Sequence, residues 1–441
     1  MNAREFAFKV ICDIEENDNY SNISINKHFK NIDIQDADRG LATQLVYGVI
    51  ENKIYIDYII RKLSKIRIKK MSVPVRNILR LGTYQILFLN SISDYAGVNE
   101  AVNLVKKYDR RSSGFVNAIL RNEIRNRDTI MDIDVDDEAE ELAIRYSYKT
   151  WMVRNWIDRF GIDFTKDLLE ENAEKPNLYI RVNTTKITRE ELIEELSEMG
   201  IRATKVKGID EAVCVKNLKN IENNQLFSRG LFTIQDISSM IVGKAINPKE
   251  NMSVIDVCSA PGGKSTHIAT LMGGAGEVVA RDIFEHKLKL IKETAQRLGL
   301  KNVEVEEFDA LELDEDSVDR YDRVLADVPC SGLGIVRRKP EIKYKEEADL
   351  LGLPEIQAKI LYNASKYVKV GGIVVYSTCT IQDNENIEVV EDFLRNNDNF
   401  ELTPIENVEI DMEQQESGVL KIYPNVHGMD GFFIAKLKRI K

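Results

Sequence analysis

The spacing of apolar positions changes twice along the chain and divides it into three regions. In residues 1–130 apolar side chains recur at helical intervals, and Pro74 is the only proline before Pro176. Within PVRNILRLGTYQILFLN, Val75, Ile78, Leu79, Gly82, Ile86 and Leu89 fall on one stripe, and Pro74 stands where a first helical turn tolerates it. This predicts an all-α bundle, a scaffold for binding more than for chemistry. The acidic run MDIDVDDEAEE at 131–141 reads as a solvated connector.

In residues 140–230, NLYIRVNTT, ITREELIEELSEMG and IRATKVKG read as strand, helix and strand. Thr188 and Glu191 form a capping box at the helix start. A small α+β module linking the two ends of the chain is expected. From 231 to 441, short apolar strands alternate with amphipathic helices. The strands are SVIDV (253–257), EVVARD (277–282), VEVEEFD (303–309), YDRVLADV (321–328) and GGIVVYST (371–378). Such β-α alternation implies a parallel, doubly wound, Rossmann-like sheet, whose ligands bind beyond the carboxyl ends of the strands.

Composition narrows the class. A chain of 441 residues holds two to four domains, and no apolar run reaches the ~18 residues of a membrane span. MNAREFAFKVICDIEEND has no signal-peptide core, so a cytoplasmic protein without membrane attachment is expected. Five scattered cysteines argue against a disulfide framework, and no CxxC or histidine cluster points to a metal. Cys12 and Cys214 read as small buried hydrophobes. The net charge of −11 is uneven: residues 1–130 carry 21 basic and 15 acidic side chains. The excess peaks in RKLSKIRIKKMSVPVRNILR, 61–80, with eight Lys/Arg and no acid, a candidate phosphate-contacting patch or a solvated helix face.

The chemistry-bearing residues gather at the strand ends. SVIDVCSAPGGKSTHIA is strand, glycine turn and helix. The turn Cys258, Ser259, Ala260, Pro261, Gly262, Gly263, Lys264 would bring backbone amides to a ligand. Asp282, closing the second strand, suits the hydroxyls of a ribose, and Asp309, ending the third, suits the amine of adenine. GGKST resembles part of a phosphate-binding loop, but the required first glycine falls at Cys258, and GxGxxG is absent. An adenosine ligand without a polyphosphate fits better, namely S-adenosylmethionine.

The fourth strand runs into Asp327-Val328-Pro329-Cys330, and the fifth into Ser377-Thr378-Cys379-Thr380. In a doubly wound sheet both ends lie beside the first strand's turn, so Asp327, Cys330 and Cys379 can surround a substrate. A methyl donor with a thiol and an acid points to methylation of a pyrimidine carbon. A thiolate adding at C6 of cytosine activates C5, and a base must later remove the C5 proton. The thiol needs a depressed pKa, for which Lys264 is a candidate field. The plain alternative is a pair of buried strand-end cysteines.

DVCSAPGGKSTH, ARD (280–282), FDA (308–310), ADVPCSGLG (326–334) and STCT (377–380) resemble the motifs of RNA cytosine-5 methyltransferases. GLFTIQDISS (230–239) and HGMDGFFIAKLKR (427–439) fit as well, so the resemblance covers essentially the whole chain. With AGVNEAVNLVKKY and GFVNAILRN, the helical region resembles the NusB-like domain of the bacterial small-subunit rRNA methyltransferase family RsmB, also called Sun or Fmu. The resemblance implies a Cys258–Lys264 cofactor turn, Asp282 on the ribose, Asp309 on the adenine and Asp327 between cofactor and base. It further implies Cys379 as the nucleophile and Cys330 as the assistant in adduct breakdown. DNA cytosine methylases attack instead with their Pro-Cys thiol, so DNA is not the expected partner. The implied protein is a cytoplasmic monomer acting on an unstacked cytosine of 16S rRNA, with Arg181 and Asn183 of the middle module lining the RNA strand path and with no metal. Two rivals remain: a P-loop NTPase, and an RNA-binding factor with a retired enzyme domain.

Overall fold

The computed structural model describes residues 1–17, 19–30, 35–89, 92–218, 221–406, 408–410 and 412–441. They form two compact units, Met1–Glu174 with Val336–Glu347, and Lys175–Ile335 with Ala348–Lys441.

The first unit is helical, as its periodicity predicts. Helix Val73–Leu87 has Pro74 in its first turn and buries Val75, Ile78, Leu79, Gly82 and Ile86, with Leu89 buried just past its end. It packs against helices Asp94–Tyr108 and Ser113–Arg125. The basic run 61–80 serves two purposes. Arg80 is buried and forks onto Asp57 with two bonds of 2.7 Å, while Glu15 lies 3.2 Å away. Arg76 reaches the same Glu15 at 3.0 Å. Arg61, Lys62, Lys65, Arg67, Lys69 and Lys70 remain exposed. The acidic stretch 131–141 is anchored: Tyr58 Oη accepts from the Asp134 amide at 2.9 Å. Asp137 caps helix Glu138–Arg145 by accepting from the Glu140 amide at 2.7 Å.

Val336–Glu347 follows the Pro-Cys motif in sequence yet belongs to this helical unit. Tyr344 joins its apolar core and donates a hydrogen bond to the Ile50 carbonyl. The buried Lys343 ammonium donates to the carbonyls of Tyr146 (3.0 Å) and Glu51 (3.3 Å). Burial, only partly opposed by Glu51, brings its pKa down to about 8.

The second unit holds two sheets. The smaller comprises β1 (Leu178–Val182), β2 (Arg202–Lys205), β3 (Ala212–Lys216) and β4 (Phe232–Ile234), all antiparallel, in the order β2-β3-β1-β4. Helix Arg189–Glu198 follows β1 and opens on the expected capping box between Thr188 and Glu191.

The larger sheet contains β5 (Ser253–Asp256), β6 (Glu277–Asp282), β7 (Val303–Glu307), β8 (Tyr321–Asp327) and β9 (Val368–Thr378). These five are parallel in the order β9-β8-β5-β6-β7. The chain winds outward from β5 through β6 to β7, then returns on the other side of β5 as β8 and β9. The switch point therefore lies between β5 and β8, where such sheets take their ligands. Beyond β9 the sheet turns antiparallel, through β12 (Phe432–Arg439), flanked by β10 (Phe400–Leu402) and β11 (Val419–Ile422). Burial on both faces explains why β8 and β9 read as continuous apolar runs such as VLA and IVVY.

Candidate active site

The turn after β5 sits at the switch point. Ser259 reaches across to β6, its amide donating to the Arg281 carbonyl at 2.7 Å and its hydroxyl at 2.9 Å. The Ala260 amide donates to Asp282 Oδ2 at 3.1 Å, and the Phe284 amide to Asp282 Oδ1 at 3.2 Å. The Ala260–Pro261 bond is cis. Gly262 adopts φ +96° directly before helix Gly263–Leu271, whose N-terminus has no side-chain cap. Open space lies beside Gly263. An uncapped helix start with a carboxylate at the end of the next strand is the donor set that an adenosine ligand with an amino-acid tail requires. These residues thus fit S-adenosylmethionine.

The four carboxylates converge. The Cys258 thiol is pushed well above its ordinary range by burial first, then by the charges of Asp256, Asp327, Asp282 and Asp309. Cys258 is therefore a neutral thiol among acids. Asp256 is fully buried, accepts from Ser265 Oγ at 2.6 Å and lies 3.4 Å from the Cys258 amide. Burial raises it to about 7, against the Ser265 hydrogen bond, with Asp327 adding to the rise. Asp309 folds back to accept from the Leu311 amide at 2.9 Å.

At the ends of β8 and β9 the remaining candidates meet. Lys264 Nζ donates to Asp327 Oδ2 at 2.6 Å, and Ser377 Oγ donates to Asp327 Oδ1 at 2.7 Å. The same ammonium lies 5.2 Å from the centroid of the Phe432 ring. Burial pulls the Lys264 pKa down, but the charge and hydrogen bond of Asp327, with Cys379 and Asp256, hold it above its usual value. Lys264 is therefore engaged by a carboxylate of its own chain, not aimed at a polyphosphate. Cys330 Sγ and Cys379 Sγ are 3.2 Å apart. The hydrogen bond to Cys379 and then burial raise the Cys330 thiol well above its ordinary value. The GLG turn beyond Cys330 needs a glycine: a Cβ on Gly334 would lie 2.0 Å from the Gly431 carbonyl oxygen and 2.9 Å from that of Cys379.

Arg181 and Asn183 do not line a strand path. Arg181 is buried and donates to Gln235, to the Gly263 carbonyl at 2.7 Å and to Thr266 Oγ1 at 3.1 Å. Asn183 donates to the Gly230 and Leu298 carbonyls, each at 2.8 Å. Their donors are consumed in fixing the end of β1 to helices Gly263–Leu271 and Glu285–Leu298 and to the segment around β4, and Arg181 braces the helix that begins at Gly263. Cys12 and Cys214 are half-buried against apolar clusters. The sequence reading missed Gln357, Glu385 and Asn386, which are buried around the two cysteine turns. The polar string QDNEN directly after STCT was the available signal.

A helical unit, a small antiparallel module and a parallel sheet closed by antiparallel strands define the multidomain class of Rossmann-like methyltransferases. Residues 243–438 match the family described as 16S rRNA methyltransferase RsmB/F. Residues 1–125 match the NusB family, and 148–222 the ferredoxin-like domain of RsmF/B-like methyltransferases. A Bacillus subtilis protein, named probable ribosomal RNA small subunit methyltransferase B, is 37% identical over 99% of this chain and 98% of its own. The solved structure of PH0851 superposes with a TM-score of 0.83 at 25% identity, covering 100% of this chain and 99% of that one. A methyltransferase homologue from Pyrococcus horikoshii gives a TM-score of 0.60 at 28% identity, covering 69% and 100%. The chain belongs to the RsmB (Sun) family of S-adenosylmethionine-dependent small-subunit rRNA methyltransferases.

Proposed function

We propose that the protein methylates carbon 5 of a cytosine in 16S rRNA through a covalent bond from Cys379 to C6, with Cys330 assisting release. The observation that carries this reading is the sulfur pair, 3.2 Å apart, with Cys379 in the electrostatic field of Lys264.

The Cys258–Lys264 turn would hold S-adenosylmethionine, with Asp282 on the ribose and Asp309 on the adenine. The cofactor supplies an electrophilic methyl group for C5. Asp327, bridged by Lys264 and Ser377, keeps lone pairs free on both oxygens and holds the cytosine ring by its hydrogen-bonding edge. Attack by Cys379 forms the S–C6 bond and moves an electron pair towards C5. After methylation a base removes the C5 proton, the pair returns to the ring and the S–C6 bond breaks. Cys330, in contact with the departing sulfur, assists that step.

The reaction needs an unstacked base. The helical unit supports rRNA binding through its exposed cations from Arg61 to Lys70. The Ser72–Asp109 hydrogen bond of 3.1 Å joins this stretch to the exposed Lys106, Lys107, Arg110 and Arg111. A monomer acting in the cytoplasm on RNA, not DNA, completes the reading. No helix among the described residues is long and apolar enough to cross a membrane. The test is incubation with methyl donor and rRNA, followed by mapping of 5-methylcytosine. Cys379→Ala should abolish methylation and form no adduct, whereas Cys330→Ala should accumulate a covalent protein–RNA complex. The reverse pattern would exchange the two roles.

A further inference from the structure

Two adjacent residues outside the five parallel strands grip both cysteine turns. Asn386 spans Cys379: Thr378 Oγ1 donates to its Oδ1 at 2.5 Å, and its Nδ2 donates to the Thr380 carbonyl at 3.0 Å. Glu385 and its partner Gln357 span Cys330 in the same way. The Ser331 amide donates to Glu385 Oε2 at 2.8 Å. Gln357 Nε2 donates to that same oxygen and to the Pro329 carbonyl, each at 3.0 Å. The residues before and after each cysteine are thus fixed to one dipeptide, Pro329 by way of Gln357.

Two further bonds tie the arrangement together. Ser331 Oγ and Thr380 Oγ1 are 2.7 Å apart, which links the turns directly. Tyr376, on β9, donates to the Glu385 carbonyl at 2.6 Å and anchors the dipeptide to the sheet. Gln357, Glu385 and Asn386 are 0%, 2% and 3% exposed, so water does not compete for their donors and acceptors. A buried carboxylate bonded to backbone on one side of a thiol pair, beside a buried amide bonded on the other, costs desolvation that ordinary core packing would avoid.

We infer that Glu385-Asn386 is a positioning clamp that sets the spacing of the two thiols, each residue holding one of them. The spacing stands on geometry alone; its consequence for the reaction rests on the function proposed above. Loosening the Asn386 side frees the turn of the attacking thiol and slows adduct formation. Loosening the Glu385 side frees the turn of the releasing thiol and leaves the adduct unresolved. A role confined to stability would lower both steps together.

The spacing is read without RNA by titrating the full chain with phenylarsine oxide, whose arsenic bridges two close thiols, using Cys330→Ser as the zero-binding control. Asn386→Ala and Glu385→Ala should each weaken arsenical binding at least tenfold. Glu385→Gln, which keeps the carbonyl acceptor, should bind like the parent. With rRNA and methyl donor, Glu385→Ala should accumulate covalent complex and Asn386→Ala should show less than the parent. If either alanine variant fails to fold by circular dichroism, Thr378→Val removes one bond from the Asn386 side and Gln357→Met two from the Glu385 side, and these variants should shift in the same directions. Arsenical affinity unchanged in folded variants of both sides would overturn the clamp. An equal fall in adduct on both sides would overturn the division between the thiols. Weakened arsenical binding, with no adduct from Cys330→Ala, would uphold the clamp and reject the proposed chemistry.

Discussion

Replacing Asp256 with asparagine should stabilise the protein, by an amount that grows with pH. Asp256 is 0% exposed, and its carboxyl titrates near pH 7 in the folded chain against 3.8 ordinarily. Below pH ~4 both folded and unfolded chains hold this proton, and Asp256 costs nothing. Between ~4 and ~7 the unfolded chain has released it while the folded chain keeps it. The folded state then binds more protons, and stability falls as pH rises. Each unit of separation is about 1.4 kcal/mol, which sets a ceiling of about 4 kcal/mol above pH 7. Asparagine keeps the shape and an acceptor for the Cys258 amide, and Ser265 Oγ can accept from its amide group. The Asp256→Asn variant should match the parent near pH 4, gain about 2–4 kcal/mol by pH 8, and then level off. Urea denaturation of both proteins from pH 4.5 to 8.5 at fixed ionic strength measures the difference, and the subtraction removes the titrating groups that Asp256 does not touch. A difference independent of pH, or a parent more stable than the variant at pH 8, would refute the reasoning.

Two further outcomes follow from buried contacts elsewhere. Arg80→Met leaves Asp57 and Glu15 without their shared cation, and should cost the helical unit about 3–5 kcal/mol in urea denaturation, with methyl-donor binding by calorimetry unchanged. A loss below about 1 kcal/mol would show that the network is not held as described. Gly334→Ala drives a methyl group into the Gly431 and Cys379 carbonyls, and should cost about 1–3 kcal/mol while abolishing methyl transfer. Full activity in that variant would mean that the turn beyond Cys330 has room to move.

Legibility followed the range of the interactions involved. The stripe on helix Val73–Leu87, the Thr188–Glu191 box and the five parallel strands depend on residues within a few positions of one another, and period alone exposed them. The basic run 61–80 was legible as charge, but not in its division. Whether Arg80 is solvated or buried depends on Asp57 and Glu15, which periodicity does not pair with it. Arg181 misled for the same reason: a strand arginine looks available until Gln235, Gly263 and Thr266 take up its donors. The antiparallel strand β12 was quoted as a motif but not read as a strand.

The order of strand ends placed Asp327, Cys330 and Cys379 beside the turn at Cys258 before any coordinates, because a doubly wound sheet leaves few other arrangements. Sequence thus determined which candidate residues gather at the strand ends. It did not determine the 3.2 Å between the sulfurs or the pairing of Lys264 with Asp327. Those depend on burial and on hydrogen bonds across 50 or so positions of chain, terms that only the packed fold defines. The return of Val336–Glu347 to the helical unit is of the same kind. Lys343 and Tyr344 look like solvent-facing residues in sequence, and only the carbonyls of Glu51, Tyr146 and Ile50 make their burial possible.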